Sequence, residues 1–283
     1  MFRDDLLKDQ TILITGGGSG LGRSMAERFA ALGARVGVCG RRQEPLEETV
    51  AAIREAGGTA GWASTDVRDP EAVDGAVDAI EKEIGPLTGL VNNAAGNFLA
   101  PTEDLSYNAF DAVTKIVLYG TFNVTQNVGR RFIERGHGGH MLAIVTTYAW
   151  TGSPFVVPSA CAKAGVFAMT RSLAVEWACY GIRLNSIAPG PFPTEGAFSR
   201  LMPAGYAEKA KAHNPLGRFG EPQELADLAS YLFAPGASYL NGECVTIDGG
   251  EWLKNGQEFA AFTQIPRDDL KRQMAAMRPP KKG

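Results

Sequence analysis

Thr15-Gly16-Gly17-Gly18-Ser19-Gly20-Leu21-Gly22 decides how the rest of the chain is read. It follows an apolar run, Thr11 to Ile14, and opens a helical pattern carried by Met25, Phe29 and Leu32. A strand, a glycine-rich turn and a helix in that order place a phosphate at the helix N-terminus. There the unpaired N–H groups and the positive end of the helix dipole meet negative charge. Gly16 and Gly20 suit tight turning and close backbone approach, and Gly22 lets the helix pack on the sheet. An ordinary flexible glycine loop is the alternative, so the assignment depends on what surrounds it.

Working outward, the 283 residues, 45% of them hydrophobic and 21% charged, suffice for one α/β domain with a substantial core. A net charge of −3 gives no electrostatic footprint for nucleic acid. No apolar run reaches membrane-spanning length, and Met1 to Gln10 is too polar for a signal peptide, so a cytoplasmic protein is expected. Cys39, Cys161, Cys179 and Cys244 lie far apart and read as scattered small core residues in a reducing cytosol. His137 and His140, in Gly-His-Gly-Gly-His, read as a polar turn before a strand, and no metal site is expected.

Apolar runs alternate with helical patterns along the chain. The second strand is Arg35 to Cys39, followed by a helix over about Glu44 to Ala56 and a strand ending at Thr65. Asp69 as N-cap and Pro70 at the first helical position open a helix that Gly85-Pro86 breaks. Gly89 to Asn92 is a strand, and one long helix is expected over about Tyr107 to Glu134. Met141 to Thr146 is the fifth strand, Thr147 to Val157 a loop, and Pro158 to Cys179 a helix. Ile182 to Ala188 and Glu243 to Ile247 complete about seven strands of a doubly wound parallel sheet covered on both faces.

The second strand ends in Gly40-Arg41-Arg42, with no acidic residue before Glu44. An NAD site holds the ribose 2′-OH with an acid at this point, whereas arginine suits a 2′-phosphate, so NADPH is expected. The alternative is that Arg41 and Arg42 are solvated helix-start residues.

Thr15 to Gly22, Asn92-Asn93-Ala94, Lys163 and Pro189-Gly190, in this order and spacing, resemble the short-chain dehydrogenase/reductase family from about Lys8 to Gly250. The resemblance implies one Rossmann-like domain, residues 1–250, commonly in a homotetramer, moving a hydride between a nicotinamide and a substrate carbon. Residues 251–283 then form a C-terminal extension whose Pro-Pro-Lys-Lys end is expected to be disordered. It also implies cofactor contacts from Thr15, Gly16, Gly18, Ser19, Gly20, Leu21, Arg41, Asp66 at the adenine, Lys163, and Pro189, Gly190 and Phe192 at the carboxamide.

Two departures matter. Ordinary members carry Tyr-x-x-x-Lys, but Ser159 stands four residues before Lys163, and Val117 occupies the position of the usual asparagine in the long helix. A tyrosine does sit in Thr146-Thr147-Tyr148-Ala149, beyond the fifth strand, at the edge where ligands bind in open α/β sheets. With Gly96-Asn97-Phe98, Phe155 to Ala160 and Gly196 to Leu201, this looks like the NADPH-dependent 2,4-dienoyl-CoA reductases of unsaturated fatty-acid oxidation. Hydride addition at the far end of a dienoyl thioester pushes charge onto the thioester oxygen, which needs hydrogen-bond donors. By resemblance those donors are Tyr148 and Asn97. Lys163 would hold the nicotinamide ribose and acidify the tyrosine, and Ser159 would support Lys163 or a bound water. Arg68, Phe98, Ser106 and Arg200 would meet the CoA substrate. A trans-2-enoyl-CoA reductase or ketoreductase, and an inactive NADP-binding sensor, are the competing readings.

Overall fold

The computed structural model describes residues 2–194, 205 and 207–277. Its strands are β1 (Thr11–Thr15), β2 (Arg35–Gly40), β3 (Thr59–Ser64), β4 (Gly89–Asn92), β5 (Gly139–Ile144), β6 (Ile182–Pro189) and β7 (Cys244–Ile247). They form one sheet in the order β3-β2-β1-β4-β5-β6-β7, with every pairing parallel. The doubly wound expectation holds. All five residues of β1 are buried, as a strand covered on both faces requires. Ile12 and Ile14 enter the core on one side and Leu13 the core on the other.

The helices are α1 (Gly20–Ala31), α2 (Gln43–Glu55), α3 (Pro70–Ile84), α4 (Tyr107–Thr114), α5 (Gly120–Arg135), α6 (Tyr148–Thr151), α7 (Val157–Glu176), α8 (Ala207–His213), α9 (Pro222–Phe233), α10 (Glu251–Gly256) and α11 (Arg267–Ala276). α1, α2 and α9 bury their apolar stripes on one face of the sheet, with Phe29 packed 5.3 Å from Phe233. Each such ring withdrawn from water stabilises the fold by roughly 1.5–3 kcal/mol. α3, α5 and α7 cover the other face. Local signals act as expected: Asp69 accepts from Glu71 N–H and Ala72 N–H, Pro70 starts α3, and Gly85 ends it at φ +93°.

Four expectations need correction. The long helix after β4 is not regular: one π turn, Lys115–Tyr119, separates α4 from α5. Gly120 sits at this turn because an added Cβ would stand 2.5 Å from Val67 Cγ2. Tyr148 belongs to a short helix, α6, rather than to a loop. Of the four cysteines only Cys39 is buried; Cys161 and Cys179 are exposed, since they point outward from α7 and from the turn that follows it. The extension after residue 250 begins with α10, whose Trp252 packs edge-on against Trp150 at 5.6 Å. Its expected disordered end, residues 278–283, lies outside the described residues.

The fourth correction concerns His140. It lies not in a turn but inside β5, because that strand begins at Gly139, and it is only 5% exposed. Asn185 Nδ2 donates to its Nε2 at 3.2 Å, its Nδ1 has no partner among the described residues, and its ring meets Phe233 at 4.5 Å. Burial, with the Arg183 charge nearby, pushes the imidazole well below the ordinary histidine value of 6.5 and holds it neutral. Only the unfolded chain then binds the proton, so the native state is fully favoured above that value and loses ground as pH falls below it. Melting temperatures between about pH 7 and pH 5 should therefore fall for the wild type, equivalent to about 1.4 kcal/mol per pH unit. In His140→Asn the melting temperature should vary less with pH over that window; an unchanged slope would contradict the neutral buried imidazole.

Candidate active site

The expected site residues follow the C-terminal ends of β1, β2, β3, β4, β5 and β6, along the edge where the winding of an open sheet leaves a crevice between β1 and β4. At the β1 end of the crevice, Ser19 is the N-cap of α1 but makes no side-chain capping bond, and the first turn of α1 holds no acid. α3, by contrast, satisfies its first N–H groups with Asp69. The open donors of α1 therefore suit an anionic ligand. Gly16 and Gly20 adopt left-handed φ values of +68° and +53°, and a Cβ on Gly22 would stand 2.3 Å from the Gly16 carbonyl oxygen. Gly18 rests against Pro45 and Leu46 of α2. Thr15 and Leu21 shape this turn from within. The Thr15 hydroxyl accepts from Asn93 N–H and Ala94 N–H, and Leu21 packs on the core.

At the other end, no hydrogen bond or ion pair engages the Arg41 guanidinium among the described residues; its carbonyl accepts from Ser64 Oγ at 3.3 Å. Arg68 grips Asp66, its Nε lying 3.0 and 2.9 Å from the two carboxylate oxygens. Arg68, and Arg41 beyond it, hold the Asp66 carboxyl below its ordinary range. Arg68, expected on the substrate, thus stands beside Asp66 at the β3 end of the sheet.

The donors meet at the β4 and β5 ends. The Asn97 side-chain oxygen accepts from Phe98 N–H at 2.9 Å, which turns its amide nitrogen to the Tyr148 hydroxyl at 3.2 Å. Ser159 Oγ lies 3.1 Å from the same hydroxyl. Ser159 therefore partners the tyrosine, not Lys163. Lys163, 7% exposed, donates instead to the Ile144 carbonyl at the end of β5. The expected acidification of Tyr148 is also corrected. Burial pushes its phenol above the ordinary value, while hydrogen bonds with Ser159, Thr146 and Asn97 pull the other way. Lys163 contributes no visible part of that balance; burial pushes its own ammonium down to about 8.

Phe98 packs on the cluster around Val117 and Ala162, and the Ser106 hydroxyl caps α4 by accepting from Ala109 N–H. Pro189 ends β6, Gly190 N–H donates to the Ile247 carbonyl of β7 at 2.9 Å, and Phe192 is buried in the core. Arg200 and the 196–201 segment lie outside the described residues. Trp150, which wedges α6 against Phe167 at 5.6 Å, escapes sequence reasoning, and Thr146 and Phe155, a non-glycine residue at φ +64°, are seen there only as parts of motifs without a role of their own. The one local hint is the cluster of aromatics around Tyr148.

A family model described as enoyl-(acyl carrier protein) reductase matches residues 16–251. A probable 2,4-dienoyl-CoA reductase of Caenorhabditis elegans, (3E)-enoyl-CoA-producing, is 45% identical over 256 residues, 89% of this chain and 83% of its own. A probable 2,4-dienoyl-CoA reductase of Bacillus subtilis (strain 168), (2E)-enoyl-CoA-producing, is 45% identical over 252 residues, 87% of this chain and 98% of its own. A crystal structure of a short chain dehydrogenase from Bacillus anthracis superposes with a TM-score of 0.80 at 45% identity, covering 87% of this chain and 98% of that one.

With its folded value near 8, Lys163 carries charge below that pH and sheds it above. Binding of an anionic dinucleotide, followed by calorimetric titration, should be constant below about pH 7 and weaken as pH rises through 8. Lys163→Met should bind more weakly and lose that dependence.

Proposed function

The chain belongs to the short-chain dehydrogenase/reductase family, whose oxidoreductases use a nicotinamide cofactor, and we propose that it reduces 2,4-dienoyl-CoA thioesters with NADPH. The observation that carries the reading is the Asn97–Tyr148–Ser159 chain, with its tyrosine on α6 instead of on the helix of Lys163. The names of the relatives at 45% identity support the substrate class.

NADPH, held by the glycine turn, Arg41 and Lys163, would supply a hydride to the far carbon of the diene. Negative charge would then gather on the thioester oxygen, several bonds away, where the protein's donors must meet it. Asn97 Nδ2–H and Ser159 Oγ–H can both be given to the Tyr148 oxygen, which leaves the phenolic proton free to point at that oxygen. Two donated hydrogen bonds polarise the phenol and strengthen it as a donor. Burial keeps it protonated, which a donor requires and a tyrosinate would defeat. The second N–H of Asn97 is a further donor. Lys163, whose ammonium is held at the end of β5, would donate to the nicotinamide ribose, as in the family it resembles.

The unengaged Arg41, with no acid at the end of β2, supports NADPH over NADH. The exposed Tyr107, Phe110, Tyr119 and Phe122 along α4, the π turn and α5 support an interface between copies, for which the family resemblance implies a homotetramer. Four unpaired thiols suit a reducing, cytoplasmic setting. Among the described residues no helix is long and apolar enough to cross a membrane.

NADPH oxidation should be fast with a 2,4-dienoyl-CoA and slow with a trans-2-enoyl-CoA or acetoacetyl-CoA. Tyr148→Phe should lower kcat about 10²–10³-fold, the worth of one oxyanion donor, with NADPH affinity retained. No turnover of the dienoyl ester by the wild type would defeat the proposal. Arg41→Ala should raise the KM for NADPH about tenfold and leave that for NADH unchanged, as loss of a phosphate contact requires.

A further inference from the structure

Phe155 is the single non-glycine residue with a positive φ among those described, at +64°. A side chain in that left-handed region strains the backbone, and for a bulky aromatic it is a true outlier. Burial does not offset this strain, because the residue is 56% exposed. Nor does the turn itself need the ring. The Phe155 carbonyl accepts from Ala100 N–H at 3.0 Å and so ties the strand-end segment carrying Asn97 to the loop between Tyr148 and Ser159. A glycine would make the same bond without strain. More than half of the residue stays exposed, and the hydrogen bond sets it beside the segment that bears Asn97.

The surroundings indicate what it meets. Leu99, beside Ala100, is likewise 45% exposed. No residue from Asn92 to Thr102, and none from Tyr148 to Ala162, is charged. The phosphate-bearing half of a CoA ester requires cations. Uncharged walls with exposed apolar side chains suit hydrocarbon.

We infer that the Phe155 ring is the surface on which the hydrocarbon tail of the acyl thioester lies, making this residue a determinant of chain-length preference. The inference rests on the dienoyl-thioester reading above. Steady-state kinetics with 2,4-hexadienoyl-CoA and 2,4-decadienoyl-CoA, on wild type, Phe155→Gly and Phe155→Tyr, test both. Phe155→Gly keeps the carbonyl tie and relieves the strain, so its melting temperature should equal or exceed that of the wild type. Its KM for the ten-carbon ester should rise about tenfold, the loss expected when a few methylenes no longer find apolar cover, while that for the six-carbon ester moves less than about twofold. Phe155→Tyr, which keeps the ring, should restore the wild-type ratio. A ratio of the two KM values unchanged in Phe155→Gly, or a rise shared equally by both esters, overturns the inference alone. A wild type that binds NADPH but turns over neither ester overturns the thioester reading, and the inference with it.

Discussion

The site depends on how the seam between β1 and β4 is closed. These two strands end side by side where the winding of the sheet reverses, and beyond them no ladder remains to pair the backbone. Thr15 and Asn93 supply the missing partners. The Thr15 hydroxyl accepts from the N–H groups of Asn93 and Ala94, and Asn93 Nδ2 donates to the carbonyls of Thr15 and Gly16. Two short polar side chains thereby fix the start of the glycine turn to the start of the segment that carries Asn97. The glycine turn and the segment that carries Asn97 are held in one frame by the same knot.

From that frame the chemistry follows by orientation more than by charge. Asn97 donates its amide to Tyr148 because its oxygen is already occupied by the next N–H of its own backbone. A side chain bonded to its own backbone and a side chain aimed at the tyrosine hydroxyl are here the same side chain. Burial pushes the Tyr148 phenol up and keeps it neutral, as the proposed donor role requires. α6, only four residues long, could not hold this position alone. Trp150 holds it, packed between Phe167 of α7 and Trp252 of α10, so the segment after the last strand takes part in building the site.

What can be seen in the sequence is what local chemistry dictates. Glycines at positive φ, an Asp-Pro helix start and a fully apolar central strand each carry their reason within a few residues. The grouping of Tyr148, Asn97, Ser159 and Lys163 is visible through family resemblance, but their pairing is not. Asn97 and Tyr148 are 51 positions apart, and which hydroxyl Ser159 meets depends on how α6 and α7 pack. The π turn is hidden because apolar spacing continues through it, with Val113, Val117 and Val124 all buried. His140 looks like a turn residue because its reason for burial, Asn185, lies a whole strand later in the chain.

Placing the tyrosine on a helix of its own has a consequence for how such a protein changes over generations. When donor and lysine share one helix at i and i+4, their spacing is set at about 6 Å by the rise of the helix, and no mutation short of distorting it can alter that. Here α6 and α7 are separate bodies joined by residues 152–156, and only the second carries Lys163. Insertions and deletions are tolerated best in exposed connections of this kind. The offset between Tyr148 and Lys163 is therefore tied not to the pitch of one helix but to residues 152–156 and to the Trp150 packing that seats α6 against α7. A change in that connection or in that packing can shift the tyrosine against the lysine without rebuilding either helix.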